Sequence, residues 1–141
     1  MKRKASAAWS GGLKDGKGTM STDSGVLSNT RYGFSSRFEE GAGTNPEELI
    51  AAAHAGCFTM ALSAQLEQAG MKADSLKTTA TVTLDKLGDE FRISAIHLDL
   101  VASVPDVNRS AFDSAVEKAK TGCPVSKLLN AKITLNTKLE S

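Results

Sequence analysis

Apolar positions along the chain change their spacing several times, and each change predicts a different element. The segment from Trp9 to Thr22 brackets a glycine-rich stretch, GGLKDGKG, and predicts a hairpin. From Tyr32 to Glu39 the residues alternate, with Tyr32, Phe34 and Phe38 on one face of a predicted strand and Arg37 on the other. A helix start follows at Thr44-Asn45-Pro46-Glu47-Glu48, where a polar cap precedes proline at the first helical position and acids fill the first turn. This helix is predicted to run to about Glu67 and to end near Gly70. Its middle, LIAAAHAGCFTMAL, is apolar on nearly every side, which predicts a central helix packed on several sides instead of one lying on a surface.

Beyond Gly70, Thr78 to Leu87 and Phe91 to Val104 read as two strands of a hairpin turning at Gly88-Asp89-Glu90. In the second, the apolar phase shifts between Ile93 and Ile96, as a β-bulge would make it. Ser110 to Lys120 carries Phe112, Ala115, Val116 and Ala119 at helical spacing and ends at Gly122. Cys123-Pro124 then opens a short helix, Val125 to Asn130. A last strand, Ala131 to Leu139, turns Ile133, Leu135 and Leu139 inward. Strands, a long helix, strands, helices and a strand make an α+β protein without regular βαβ alternation. No repeat or linker divides the chain, so residues 1–141 read as a single domain.

Composition narrows the function classes. Seventeen basic and sixteen acidic residues leave a net charge of +1, spread along the chain, so nucleic acid and anionic membranes are not expected partners. The basic start, MKRKASAAWS, is followed by no apolar run, which argues against export and for a cytoplasmic protein. Leu49 to Leu62, the most apolar stretch, falls short of the roughly 20 residues that cross a bilayer. Two cysteines are too few for a secreted disulfide scaffold and lie far apart without C-x-x-C spacing, so in a reducing compartment they are either inert or redox-active.

Several constellations are candidates for chemistry. Gly11 to Lys17 fits G-x-x-x-x-G-K, but Gly18 follows the lysine and a strand follows that, so a hairpin turn is the better reading. Cys123, before Pro124 at a helix start, has its sulfur where backbone N–H groups favour a thiolate. Cys57, inside an apolar helix, has a pKa raised by desolvation, so any function for it requires a positive partner. His54 lies one turn before Cys57 and reads as a packed helix histidine; as a hydrolase base or a zinc ligand it lacks the further groups either role needs. His97, beside Asp99, reads as a solvated strand residue. Glu47 and Glu48 complement the helix dipole, and Arg37 by itself reads as a solvated charge.

The segments RFEEGAGTNPEELIAAAHAGCFTMAL and KAKTGCPVSKLL, each carrying one cysteine, together resemble the osmotically inducible protein C family, which is related to the organic hydroperoxide resistance proteins. The resemblance runs from about Trp9 to Leu139, and the GCPVS context of Cys123 is similar to the osmotically inducible branch. It implies mainly antiparallel strands around a long buried helix, in an intertwined homodimer with sites at the subunit interface. It implies that Cys57 is the peroxidatic cysteine and Cys123 the resolving one, with Arg37 holding the Cys57 thiolate and Glu47 orienting Arg37. The implied substrate is an organic hydroperoxide, reduced with no bound cofactor or metal at the expense of an external dithiol or lipoyl-bearing protein.

The physical roles fit these positions. A fixed, forked charge such as that of Arg37 offsets the cost of a buried thiolate. Apolar walls including Phe58 and Met60 favour alkyl or lipid hydroperoxides over hydrogen peroxide. Glu47 and Cys57 are ten residues apart, so on one helix they are separated by about 15 Å and about 80° around the axis and cannot meet directly. Either Arg37 bridges the gap, or a kink closes it, or Arg37 and Glu47 come from the other subunit, and the last is the favoured expectation because it makes dimerisation necessary for catalysis. Two competing readings carry distinct expectations: a redox-switched binding protein oxidises once without turnover, and a cysteine hydrolase built on Cys57 and His54 has no need of Cys123.

Overall fold

In the computed structural model, which describes residues 1–140, the glycine-rich segment joins two antiparallel strands, β1 (Ala5–Ser10) and β2 (Lys17–Thr22). The chain divides into two units, Met1–Leu49 and Ile50–Ser141, described here in turn. In the first, the hairpin turn is closed by the Gly16 N–H donating to the Gly12 carbonyl at 2.9 Å and the Gly12 N–H donating to Asp15 Oδ1 at 3.1 Å. The lysine of the pseudo-phosphate loop therefore opens a strand, as its context predicts. Trp9 and Tyr32 stack at 5.6 Å between ring centres, and a Cβ at Gly18 would come within 2.5 Å of the first ring and 2.6 Å of the second. Only glycine fits beneath that pair.

The predicted strand over Tyr32 to Glu39 is corrected. Strand structure stops after β3 (Thr30–Tyr32), which pairs antiparallel with β2, and Phe34–Phe38 forms a short helix, α1. Phenylalanines four apart share a face in a strand or a helix, so the alternation did not separate the two. Polar groups decide it: the Gly33 N–H donates to Ser36 Oγ at 2.9 Å, and the Ser36 hydroxyl donates to the Thr44 carbonyl at 2.8 Å, folding the segment back on itself. Phe34 and Phe38 stack at 5.1 Å, and the Arg37 guanidinium lies 5.1 Å from the Phe38 ring centre instead of facing away from the aromatics.

The long helix, α2 (Pro46–Gln68), starts as its sequence predicts. Asn45 Oδ1 accepts from the Glu48 N–H at 2.7 Å, and Thr44 Oγ1 donates to Glu48 Oε2, also at 2.7 Å. In the second unit, β4 (Ser75–Leu87) and β5 (Glu90–Ser103) form the expected hairpin. Thr83 faces Ala95 while Leu84 faces Ile93, leaving Ser94 as the extra residue of a bulge where the apolar phase shifts. Two helices follow, α3 (Arg109–Gly122) and α4 (Pro124–Leu128), and lead to β6 (Lys132–Glu140). β6 pairs with β5 in parallel, a departure from the otherwise antiparallel pattern that alternation alone does not reveal.

The core of this unit draws on all three layers: Phe58, Leu62 and Leu66 from α2; Ile96, Leu98, Leu100 and Ala102 from β5; Phe112, Ala115, Val116 and Ala119 from α3. The expectation of a helix packed on several sides is met on one side. His54, Phe58, Leu62 and Leu66, four residues apart, are buried, while Ala52, Ala53, Met60 and Ala64 are exposed. At 23 residues, with mean hydropathy 1.4 in its most apolar window, α2 is long and apolar enough to cross a membrane by length and composition, which the shorter Leu49–Leu62 run did not predict. Its buried stripe instead joins the core with β5 and α3. Truncation of the fully buried Phe58 to alanine is expected to cost about 3–5 kcal/mol, measured as a lower midpoint in urea with little change in slope.

Candidate active site

Within the first unit, Arg37 stands in α1 and Glu47 in the first turn of α2. Arg37 Nε and Nη2 both lie 2.9 Å from Glu47 Oε1. Glu47 is buried, and its Oε2 has no hydrogen-bond partner among the described residues. The guanidinium is exposed, as its sequence context suggests, but is also held by the carboxylate. Asn45 Nδ2, donating to the Ser36 carbonyl at 3.0 Å, ties the start of α2 to α1 and fixes the distance over which the pair can form.

Within the second unit, the structure brings the two cysteines together although 66 positions separate them in sequence. Both are free thiols, near enough for each to shift the other's acidity, Cys57 partly exposed and Cys123 fully buried. Cys123 caps α4, its Sγ accepting from the Ser126 N–H and from the Ser126 hydroxyl, each at 3.4 Å. Pro124 takes the first helical position, where its fixed φ suits the helix start and no N–H is needed.

The thiols differ in acidity. Burial pushes Cys57 above the ordinary thiol value, against a hydrogen bond from the Val125 backbone, and the neighbouring Cys123 adds to the rise. Burial acts on Cys123 too, but hydrogen bonds from the Ser126 hydroxyl, the Cys57 thiol and the Ser126 and Val125 backbone outweigh it and bring Cys123 below that value. Local context thus assigns thiolate character to Cys123, as its helix-start position predicts, while access to solvent belongs to Cys57.

A residue the sequence did not single out completes the cluster. Ser126 Oγ lies 2.8 Å from Nε2 of His54, which is wholly buried, and Nδ1 of His54 has no partner among the described residues. Neither ring nitrogen bonds Cys57, so the hydrolase pairing of His54 with Cys57 does not form. The signal for Ser126 was a polar residue three positions after a helix-capping cysteine, where a capping residue's partner N–H falls. His97 is half exposed and bonds Thr134 and Asp99, a strand-surface setting. No group of three or more His, Cys, Asp or Glu side chains among the described residues is arranged to hold a metal ion.

Burial lowers the pKa of His54 below 6.5. The unfolded chain therefore takes up this proton first as pH falls, so His54 leaves stability intact above pH 6.5 and erodes it below. Denaturation midpoints measured down from neutral pH are expected to fall, and His54→Gln to flatten that slope.

The helices of this α+β unit bring two thiols that are distant in sequence beside one another, which makes them the candidate site. The chain belongs to the OsmC-like protein family, whose model matches residues 39–138. It is 53% identical over 139 residues to peroxiredoxin OsmC of Escherichia coli strain K12, covering 99% of this chain and 97% of that one. The crystal structure of the organic hydroperoxide resistance protein OhrB of Bacillus subtilis is similar at a TM-score of 0.66 and 27% identity, covering 97% of this chain and 98% of that chain. An OsmC-like protein of Vibrio cholerae shares the fold at a TM-score of 0.77 and 13% identity, covering 97% and 99% of the two chains.

Proposed function

We propose that the chain is an oxidoreductase of the peroxidase kind that reduces organic hydroperoxides to alcohols during peroxide stress, using Cys57 and Cys123 in sequence. The observation that carries this is the placing of two free thiols, 66 positions apart in sequence, beside one another in the fold, one partly open and one buried. The names of its relatives, a peroxiredoxin and an organic hydroperoxide resistance protein, support the same class.

The Cys57 thiolate attacks the terminal peroxide oxygen, the O–O bond breaks, and the alkoxide leaves as an alcohol after taking a proton. Cys57 is left as a sulfenic acid. Cys123 then attacks its sulfur, forming the disulfide and releasing water. An external dithiol, of which lipoyl groups are the favoured class, restores both thiols and leaves as its own disulfide. Because Cys57 has a raised pKa in this unit, the first step needs a cation, and the Arg37–Glu47 pair is the proposed source.

The pair is proposed to act from the partner subunit of a homodimer. The helical spacing of Glu47 and Cys57 supports this, and so does the buried Glu47 Oε2, since an unsatisfied buried acceptor costs about 1–3 kcal/mol unless something completes it. A reducing, cytoplasmic setting belongs to the same proposal, because both thiols must be regenerated. The test is steady-state reduction of cumene hydroperoxide with dihydrolipoamide or glutathione. Sustained turnover with the dithiol and far less with glutathione is expected; a single stoichiometric oxidation with no turnover under either reductant would favour a redox switch instead.

A further inference from the structure

The peroxidase cycle uses Cys123 but leaves two buried groups beside it without a role. His54 is wholly shielded from water, yet a histidine costs its burial and its unpartnered Nδ1. Its Nε2 meets Ser126 Oγ at 2.8 Å, and the same Oγ meets Cys123 Sγ at 3.4 Å. The three atoms form a continuous hydrogen-bonded line, reaching from α2 across to α4, that ends on the sulfur.

We propose that His54 and Ser126 are positioning residues forming a proton relay that converts Cys123 into the attacking thiolate when the disulfide closes. This rests on the peroxidase reading above. A serine hydroxyl carries one proton and can donate to only one neighbour at a time. With Cys123 as a thiol, the Ser126 hydroxyl donates to Nε2 and the thiol proton turns toward Ser126 Oγ. With Cys123 as a thiolate, the hydroxyl donates to sulfur and Nε2 carries the transferred proton. Moving between these arrangements shifts one proton from sulfur to imidazole without either side chain moving. Burial keeps His54 neutral at rest, and in the tautomer the relay uses, with the proton on Nδ1, the Nε2 lone pair faces the Ser126 hydroxyl and receives that proton. The titrating groups that meet the line are Cys123 at its end and Cys57 beside Cys123.

The step balances. The Cys57 sulfenic acid and the Cys123 thiol give a disulfide and one water: the S–S bond forms, the S–O bond breaks, and the hydroxide leaves with a proton equivalent to the one Cys123 released. Nothing further is oxidised or reduced in this step. His54 holds the proton while sulfur attacks and, once the disulfide has closed, gives it up to water, which balances the proton taken by the leaving hydroxide.

The test follows the two half-steps separately in the full-length protein. One equivalent of cumene hydroperoxide is mixed with the reduced protein, and Cys57 sulfenic acid, trapped by a dimedone probe, is timed against disulfide formation. Ser126→Ala and His54→Gln are each expected to slow closure about a hundredfold more than they slow peroxide loss, so that sulfenic acid accumulates. Ser126→Thr, which keeps the hydroxyl, is expected to restore most of the rate. Closure at the wild-type rate in both Ser126→Ala and His54→Gln overturns the relay.

A second measurement is independent of peroxide. In a Cys57→Ser background, thiolate absorbance titrates Cys123 alone. An upward shift on adding Ser126→Ala or His54→Gln supports the relay, and no shift with either overturns it. If the wild type forms neither sulfenic acid nor disulfide, the peroxidase reading fails, and this titration alone decides whether the relay exists.

Discussion

Cys57→Ser is expected to leave hydroperoxide disappearing at its uncatalysed rate, with no first-equivalent burst, while Cys123→Ser still consumes about one equivalent per subunit and then stalls. The asymmetry follows from the site. Cys57 is partly open, whereas Cys123 is fully buried behind α4 and cannot offer its sulfur to a bulky alkyl peroxide. Its lowered pKa makes Cys123 a good second nucleophile but does not give it access. Rapid-mixing kinetics with mass spectrometry of the stalled form checks both halves: Cys123→Ser should carry one added oxygen at Cys57. A full burst from Cys57→Ser would reverse the order of the two cysteines, and sustained dithiol-driven turnover by Cys123→Ser at the wild-type rate would remove the resolving role.

The second large effect concerns the cation. Arg37→Ala is expected to lower the rate of the first step by about 10²–10³, the loss typical of removing one preorganised charged donor. Glu47→Gln should cost less, since it loosens the guanidinium held at 2.9 Å without removing it. Arg37→Lys should recover only part, because an ammonium lacks the fork by which Nε and Nη2 share one carboxylate oxygen. Mixing Arg37→Ala with Cys57→Ser chains tests where the cation comes from. A purified heterodimer with shared sites holds one intact site and one doubly broken one, so about half the wild-type activity returns. If no activity returns above the parent homodimers, Arg37 does not serve the partner's thiol.

The sequence was informative wherever a local rule governed the outcome. Proline after Asn45 and acids in the first turn marked the start of α2, and the phase slip between Ile93 and Ile96 marked the bulge at Ser94. α1 was missed because the spacing of Phe34 and Phe38 suits a strand and a helix equally, and the deciding contact, Ser36 to Thr44, is eight residues long. The parallel pairing of β5 and β6 was missed because inward alternation carries no direction. At the site, a cysteine with a raised pKa was legible from the apolar run around Cys57, although the structure leaves that cysteine partly exposed. Ser126 was not, since its meaning depends on His54, 72 positions away, and serine three residues after a cap is common for reasons of helix geometry alone.

The parallel β5–β6 pairing has a consequence for the order of assembly. Parallel neighbours require a crossover, and here the crossover is α3 and α4, which carry Cys123 and Ser126. The hairpin of β4 and β5 closes over two residues, Gly88 and Asp89, but the segment holding the second thiol is anchored at its far end only when β6, which follows α4 in the chain, docks beside β5. Long-range pairings of this kind form late. On the proposed roles, a nascent chain presents Cys57 before Cys123 is fixed beside it, and peroxide reaching it then leaves a sulfenic acid exposed to irreversible further oxidation. Oxidative damage during synthesis should accordingly concentrate on Cys57, in chains that have not yet added β6.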